Sequence, residues 1–148
     1  QEQGLRAGTE NTAAIVGFGK AAELAQTELA QRNEHMSALR IQLEEGLTNI
    51  PGLIIFARQA NRLPNTVLIG IPGIDGEMLL MKLDQHGIAV SSGSACASGG
   101  NMPSPVLMAM GVEAGFAKSA IRISLGLANT SAEISKFINL LKDLVYPS

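Results

Sequence analysis

Tryptophan is absent, and one tyrosine and four phenylalanines are the only aromatics, so the 148 residues must build their core from Leu, Ile, Val, Met and Ala. Cysteine is scarcer still. A single thiol, Cys96, excludes an internal disulfide and any multi-cysteine metal centre. It suits a reducing compartment, most simply the cytoplasm. No stretch approaches the run of about 18 apolar residues that a membrane helix needs. The polar, Gly-rich opening QEQGLRAGTEN gives no signal peptide. Charge is sparse as well: 16% of residues are charged and the formal balance is -2, which offers no basic surface to nucleic acid or an anionic membrane. What remains is an apolar fraction of 46%, enough for a folded domain of ordinary size. The first residue is not methionine and the opening reads as a loop, so a piece of a longer protein is expected.

From Asn11 to Leu47 the apolar positions step by threes and fours through Ile15, Phe18, Ala22, Ala25, Leu29, Met36, Leu39, Leu43 and Leu47, which predicts one long helix. Thr9 or Asn11 can cap its start, and Pro51-Gly52 ends it. Strands are expected at Leu53–Ala57 and Thr66–Ile71, then a helix from Asp75 to Gln85 that buries Met78, Leu79, Met81 and Leu83 and stops at Gly87. Ile88–Ser91 reads as a further strand. Residues 92–104, rich in Ser and Gly, read as a loop, and Ser104-Pro105 opens a short helix that ends at Gly111. Over Ala120–Leu125 the pattern alternates, with Ile121, Ile123 and Leu125 on one side and Ala120, Arg122 and Ser124 on the other. The last helix opens on a capping box, Thr130 and Glu133, and buries Ile134, Phe137, Ile138, Leu141 and Leu144.

Three residues stand out chemically. Cys96 sits among Ser, Ala and Gly with no bulky neighbour to bury it; most lone cysteines are buried and inert, but an exposed thiol on a small-residue loop is a nucleophile candidate. Arg122, on the polar side of an alternating strand, would by itself pass for a solvated surface residue. Thr9 is equally well read as a helix N-cap or as a hydroxyl beside an anion site. His35 and His86 read as structural. Asp75 and Glu77 read as a helix start, and nothing suggests a metal site.

SSGSACASG at 91–99, preceded by IDGEMLLMKLDQHGIAV and followed by PSPVLMAMG and SAIRISLG, resembles the cysteine desulfurases of the NifS/IscS type within the class V aminotransferases. The opening QEQGLRAGTEN matches the segment this family carries before its long linking helix. The resemblance implies an α+β fold, the small domain of a fold-type I enzyme dependent on pyridoxal 5'-phosphate, with a small sheet covered on one face by helices. Residues 1–10 would end the large-domain segment, 11–50 form the linking helix, and 51–148 form the small domain carrying the sulfur-acceptor loop.

It further implies conversion of L-cysteine to L-alanine, with sulfur held as a persulfide on Cys96 and passed to an iron–sulfur scaffold or another acceptor. Arg122 would hold the substrate carboxylate. Thr9, in RAGT, would reach the cofactor phosphate of the neighbouring subunit of a homodimer. The family's aldimine lysine lies in a Ser-x-His-Lys context that this sequence does not contain, so these residues alone are expected to be inactive and not to hold the cofactor. Leu127-Ala128 replaces the usual arginine and aromatic after SLG, which bears on the acceptor and on substrate entry. The alternatives are a non-catalytic module for dimerisation or acceptor binding, and a selenocysteine or cysteine lyase of the same fold.

Overall fold

The computed structural model describes residues 2–5, 7–92 and 102–147. The chain divides into two compact units, Gln1–Asn33 and Glu34–Ser148. A 3-10 turn, Glu2–Gly4, precedes helix α1, Thr12–Leu47, whose 36 residues run through both units. Asn11 caps α1: its Oδ1 accepts from the Ala14 N–H at 3.1 Å. Within the first unit Leu5, Ile15, Val16, Phe18 and Leu29 are all more than half exposed. Of these, Ile15, Phe18 and Leu29 stand on the helix face that periodicity predicts, yet nothing described within that unit covers them.

The second unit holds the rest of the architecture. Its elements are β1 (Ile54–Ile55), β2 (Thr66–Gly70), α2 (Gly76–Gln85), β3 (Ser91–Ser92), α3 (Pro105–Ala109), α4 (Ala114–Lys118), β4 (Ile121–Ser124) and α5 (Ser131–Val145). The four strands form one antiparallel sheet in the order β1-β2-β4-β3. This is the α+β arrangement expected, a small sheet with helices packed on it, except that α3 and α4 pack on the face opposite to α1, α2 and α5.

Alternation along β2 and β4 sorts their side chains to two faces. Val67, Ile69, Ile121 and Ile123 point into the main core, where they meet Leu39, Leu43 and Leu47 of α1, Leu79 and Leu83 of α2, and Ile134, Phe137 and Leu141 of α5. Leu68 belongs to a second, smaller cluster with Phe56, Leu107 of α3 and Phe116 and Ala117 of α4. Gly70 makes that cluster possible. A Cβ there would lie 2.9 Å from ring carbons of both Phe56 and Phe116, whose ring centroids stand 5.3 Å apart.

The helix ends are built from local side-chain contacts. Asp75 Oδ1 accepts from the Glu77 and Met78 N–H groups, and Gly87 follows α2 at φ +74°. Glu133 and Thr130 close the expected capping box on α5, the Thr130 N–H donating to Glu133 Oε2 at 2.8 Å.

Several expectations need correction. The strand expected at Ile88–Ser91 is confined to Ser91–Ser92, because only those residues pair with β4; Ile88 and Val90 pack partly buried against the core without joining the ladder. Met78 and Met81 are exposed, since α2 turns only Leu79 and Leu83 inward. Ala120 lies on the side of Arg122 as expected, but that side carries its own cluster, and Ala120 is buried there with Phe56 and Ala117. Helix α4 was not foreseen: its five residues are too few to show a period.

Candidate functional site

Arg122 is set on β4 between Ile121 and Ile123, which are 0% and 6% exposed, so its backbone is locked by core packing while its side chain faces outward. The strand is held on both edges. Four residue pairs join it to β2, with Leu68 opposite Arg122, and two join it to β3, with Ser91 opposite Arg122. The guanidinium Nη2 donates to Ser91 Oγ at 3.4 Å, a long contact that leaves most of its donors for another partner.

The start of β4 is fixed from outside the sheet. The Glu113 carboxylate accepts from the Gly115 and Phe116 N–H groups at 2.9 and 3.0 Å, capping α4. Those backbone donors hold its carboxyl below the usual range. At the other end of α4, Ser119 is 1% exposed. Its hydroxyl donates to the Phe116 carbonyl at 2.7 Å and accepts from the Ile71 N–H at 3.0 Å, which ties the end of β2 to the approach to β4.

A pocket of about 400 Å³ opens beside Arg122. Its floor is apolar, formed by Phe56, Leu68 and Leu107, and Arg62 stands with Arg122 in its lining. Ser104, buried at the N-cap of α3, also lines it and accepts from the Leu107 N–H at 3.4 Å. Such a site suits a small anion whose charge meets a guanidinium and whose remainder rests on hydrocarbon. No lysine is among the described lining residues, and all five lysines of the chain are exposed.

Sequence pattern alone does not single out Arg62 or its partner Glu44. Glu44 lies on the inward side of α1, 9% exposed, and its Oε1 accepts from Arg62 Nη2 at 2.7 Å. Arg40 and Arg58 approach the same carboxylate at 3.7 and 3.8 Å. The one available signal was an acid at an apolar-face position, three residues before Leu47, with two arginines in the RQANRLP stretch.

The residues singled out from sequence fall in three places. Arg122 is at the pocket just described. Thr9 belongs to the first unit, exposed just before α1; Asn11 provides the helix cap, so the Thr9 hydroxyl is not needed for it. Cys96 lies outside the described residues, as does most of the 92–104 loop; the segment is described as far as Ser92 in β3 and again from Met102. His35 contacts the Asn129 carbonyl at 3.1 Å and His86 ends α2, both structural positions.

Comparison with known families matches residues 1–137 to "Aminotransferase class-V". The chain is 42% identical over 146 residues to a cysteine desulfurase of Gluconacetobacter diazotrophicus, covering 98% of this chain and 36% of that one. Over 146 residues it is 43% identical to the cysteine desulfurase NifS of Azotobacter vinelandii, again covering 98% of this chain and 36% of the relative. Among solved structures, a NifS-like protein from Rickettsia africae superposes with a TM-score of 0.84 at 39% identity, covering 100% of this chain and 38% of that one. The chain therefore spans little more than a third of the length of the relatives it matches.

Proposed function

The chain belongs to the class-V aminotransferase family, and from that premise we propose that it is part of a cysteine desulfurase, which moves sulfur from L-cysteine to an acceptor by way of Cys96. The carrying observation is the pairing of Ser91 with Arg122 across β3 and β4. It roots the Cys96 segment beside the arginine. Cys96 follows Ser91 by five residues, and five extended residues span at most about 17 Å. The covalent tether alone therefore keeps the thiol within a short radius of anything Arg122 holds.

In this reading Arg122 binds the substrate carboxylate through its free donors, and the apolar floor excludes water from the contact and strengthens it. Cys96, as thiolate, takes the substrate sulfur and carries it as a persulfide to an iron–sulfur scaffold or a similar acceptor. Thr9 would contribute a hydroxyl to the cofactor phosphate of a neighbouring subunit in a homodimer. Pyridoxal 5'-phosphate supplies the electron sink for carbon–sulfur cleavage in this family. The side chains around Arg122 do not by themselves fit that cofactor, because no lysine stands among those described there. In this reading the lysine that the family carries in a Ser-x-His-Lys context is supplied by another part of the enzyme, and these residues would not turn over without it. The reaction would take place in the cytoplasm.

Two substitutions in the full-length protein separate the roles. Cys96→Ser should abolish persulfide formation while the cofactor absorption band persists. Arg122→Lys keeps the charge but loses the planar fork. A charge-assisted bidentate contact is worth on the order of 2 kcal/mol, so the apparent KM for L-cysteine should rise roughly 30-fold. Wild-type turnover in Cys96→Ser would overturn the assignment.

A further inference from the structure

We propose that Arg62 is a positioning residue of the Arg122 pocket, anchored by Glu44 and adding a second positive charge to the wall that an anionic substrate group meets. The inference rests on the functional reading above and deepens it.

Glu44 is a rigid anchor. It sits between Leu43 and Leu47 of α1, both 0% exposed, and the Arg62 contact at 2.7 Å is the shortest it makes. The charges around it do not balance. Three guanidiniums, from Arg40, Arg58 and Arg62, share one carboxylate, leaving two positive charges in excess. Hydrogen bonding is incomplete too: Arg62 Nε and Nη1 and Arg40 Nε are buried and find no partner among the described residues. For an ion pair that served only to stitch α1 to the β1–β2 connection, one arginine would suffice, and buried unmet donors would count against it. An excess of positive charge beside an apolar pocket makes sense if the pocket receives an anion. Phe56, Leu68 and Leu107 form a floor of low polarizability, so a charge in the wall is felt across the pocket more strongly than across water. Arg122 would make the direct contact, and Arg62 would act through space and by holding the wall in place.

One unit charge on the order of 8 Å away, at an effective dielectric of about 40, shifts an ionic equilibrium about fivefold. In the full-length enzyme, Arg62→Met should therefore raise the KM for L-cysteine about fivefold with kcat within twofold of wild type. It should also weaken binding of 3-mercaptopropionate, a thiol carboxylate that lacks the amino group, by a similar factor, and flatten the salt dependence of kcat/KM. Arg62→Lys should restore most of both effects. Arg58→Met, at a more exposed member of the cluster, should act in the same direction by about twofold, and carries the test if Arg62→Met fails to fold. Unchanged KM and probe affinity in Arg62→Met would overturn the proposal. So would a Lys variant as impaired as the Met variant, which would mark a packing role. Arg122→Lys is the reference. If it raises KM while the Arg62 and Arg58 variants do not, only the role of Arg62 falls; if it leaves KM unchanged, the functional reading and this inference fall together.

Discussion

Ser119→Ala isolates the contact that ties the end of β2 to the approach to β4. The hydroxyl is 1% exposed, accepts from the Ile71 N–H at 3.0 Å and donates to the Phe116 carbonyl at 2.7 Å. Alanine has nearly the same volume, so no cavity term enters. Ile71 is itself 1% exposed, so its amide would lose its acceptor where water cannot replace it. Leaving one buried donor unmet costs about 1–3 kcal/mol. The Phe116 carbonyl keeps its second donor, the Ser119 backbone N–H at 3.0 Å, and adds little. A loss of about 2 kcal/mol is expected, which for a domain of this size lowers Tm by roughly 6–10 °C. Urea unfolding gives the free energy, and hydrogen exchange at the Ile71 amide reports the site directly: it should exchange faster in the variant. Ser135→Ala removes an exposed hydroxyl that donates to the Ser131 carbonyl and accepts from Gln42 Nε2, which keeps the Ser131 carbonyl as acceptor, and should change stability by less than about 0.5 kcal/mol. A Ser119→Ala protein as stable as that control, with Ile71 still protected, would refute the reasoning.

Four further outcomes are expected. Gly70→Val places a branched side chain where a Cβ alone comes within 2.9 Å of Phe56 and Phe116; overpacking of this kind costs about 1–3 kcal/mol, read as a lowered urea midpoint. The Glu133 carboxyl is held below its usual range, first by the Thr130 N–H and then by the Thr130 hydroxyl. A depressed folded value means its stabilisation is present above the unfolded value and is lost as pH falls through the folded one. The stability gap between wild type and Glu133→Gln should therefore be full at pH 7 and narrow as pH falls below the ordinary glutamate value. Amides of β3 should exchange faster than those in the β2–β4 ladder, as two pairs hold β3 and four hold β2 to β4; equal protection would count against this account. Phe18→Ser, at a side chain 78% exposed, should leave Tm unchanged while reducing binding of a hydrophobic dye.

Legibility in the sequence followed how local the physics is. The capping box at Thr130 and Glu133, the Asp75 cap and the Gly87 stop are contacts within one turn, and each stands where the pattern put it. The alternation at Ile121, Arg122 and Ile123 was legible for the same reason: a strand's two faces follow from its period. Contacts between distant segments were not. Periodicity groups Ile15, Phe18 and Leu39 on one helix face but cannot say that Leu39 meets a core and the other two do not. Met78 and Met81 are apolar and yet exposed, because the width of the buried stripe on α2 depends on what packs there. Ala120 goes inward because Phe56, more than 60 positions earlier, comes to lie over it. Glu44 was silent for the opposite reason. An acid on a helix is an ordinary surface residue until a loop 18 residues later brings Arg62 to it.

The arrangement of β2, β4 and β3 answers a conflict that the proposed chemistry sets. A carboxylate-binding arginine works best when fixed, whereas a thiol that must visit two places has to be free to move. Arg122 lies on β4, and Cys96 follows the neighbouring β3 by four residues in sequence. The sheet resolves this by unequal pairing. β4 is bonded to β2 over Thr66–Ile69, and its inward residues, Ile121 and Ile123, are buried against three helices, so Arg122 sits on a strand held by both its ladder and its core packing. Among the described residues, β3 joins the same strand through Ser91 and Ser92. Loss of those two pairs would cost β4 one edge and none of its core packing. A shift of one residue in the short ladder would turn Ser91 to the other face and break its contact with Arg122. The short strand therefore sets register, and the four-pair ladder supplies rigidity.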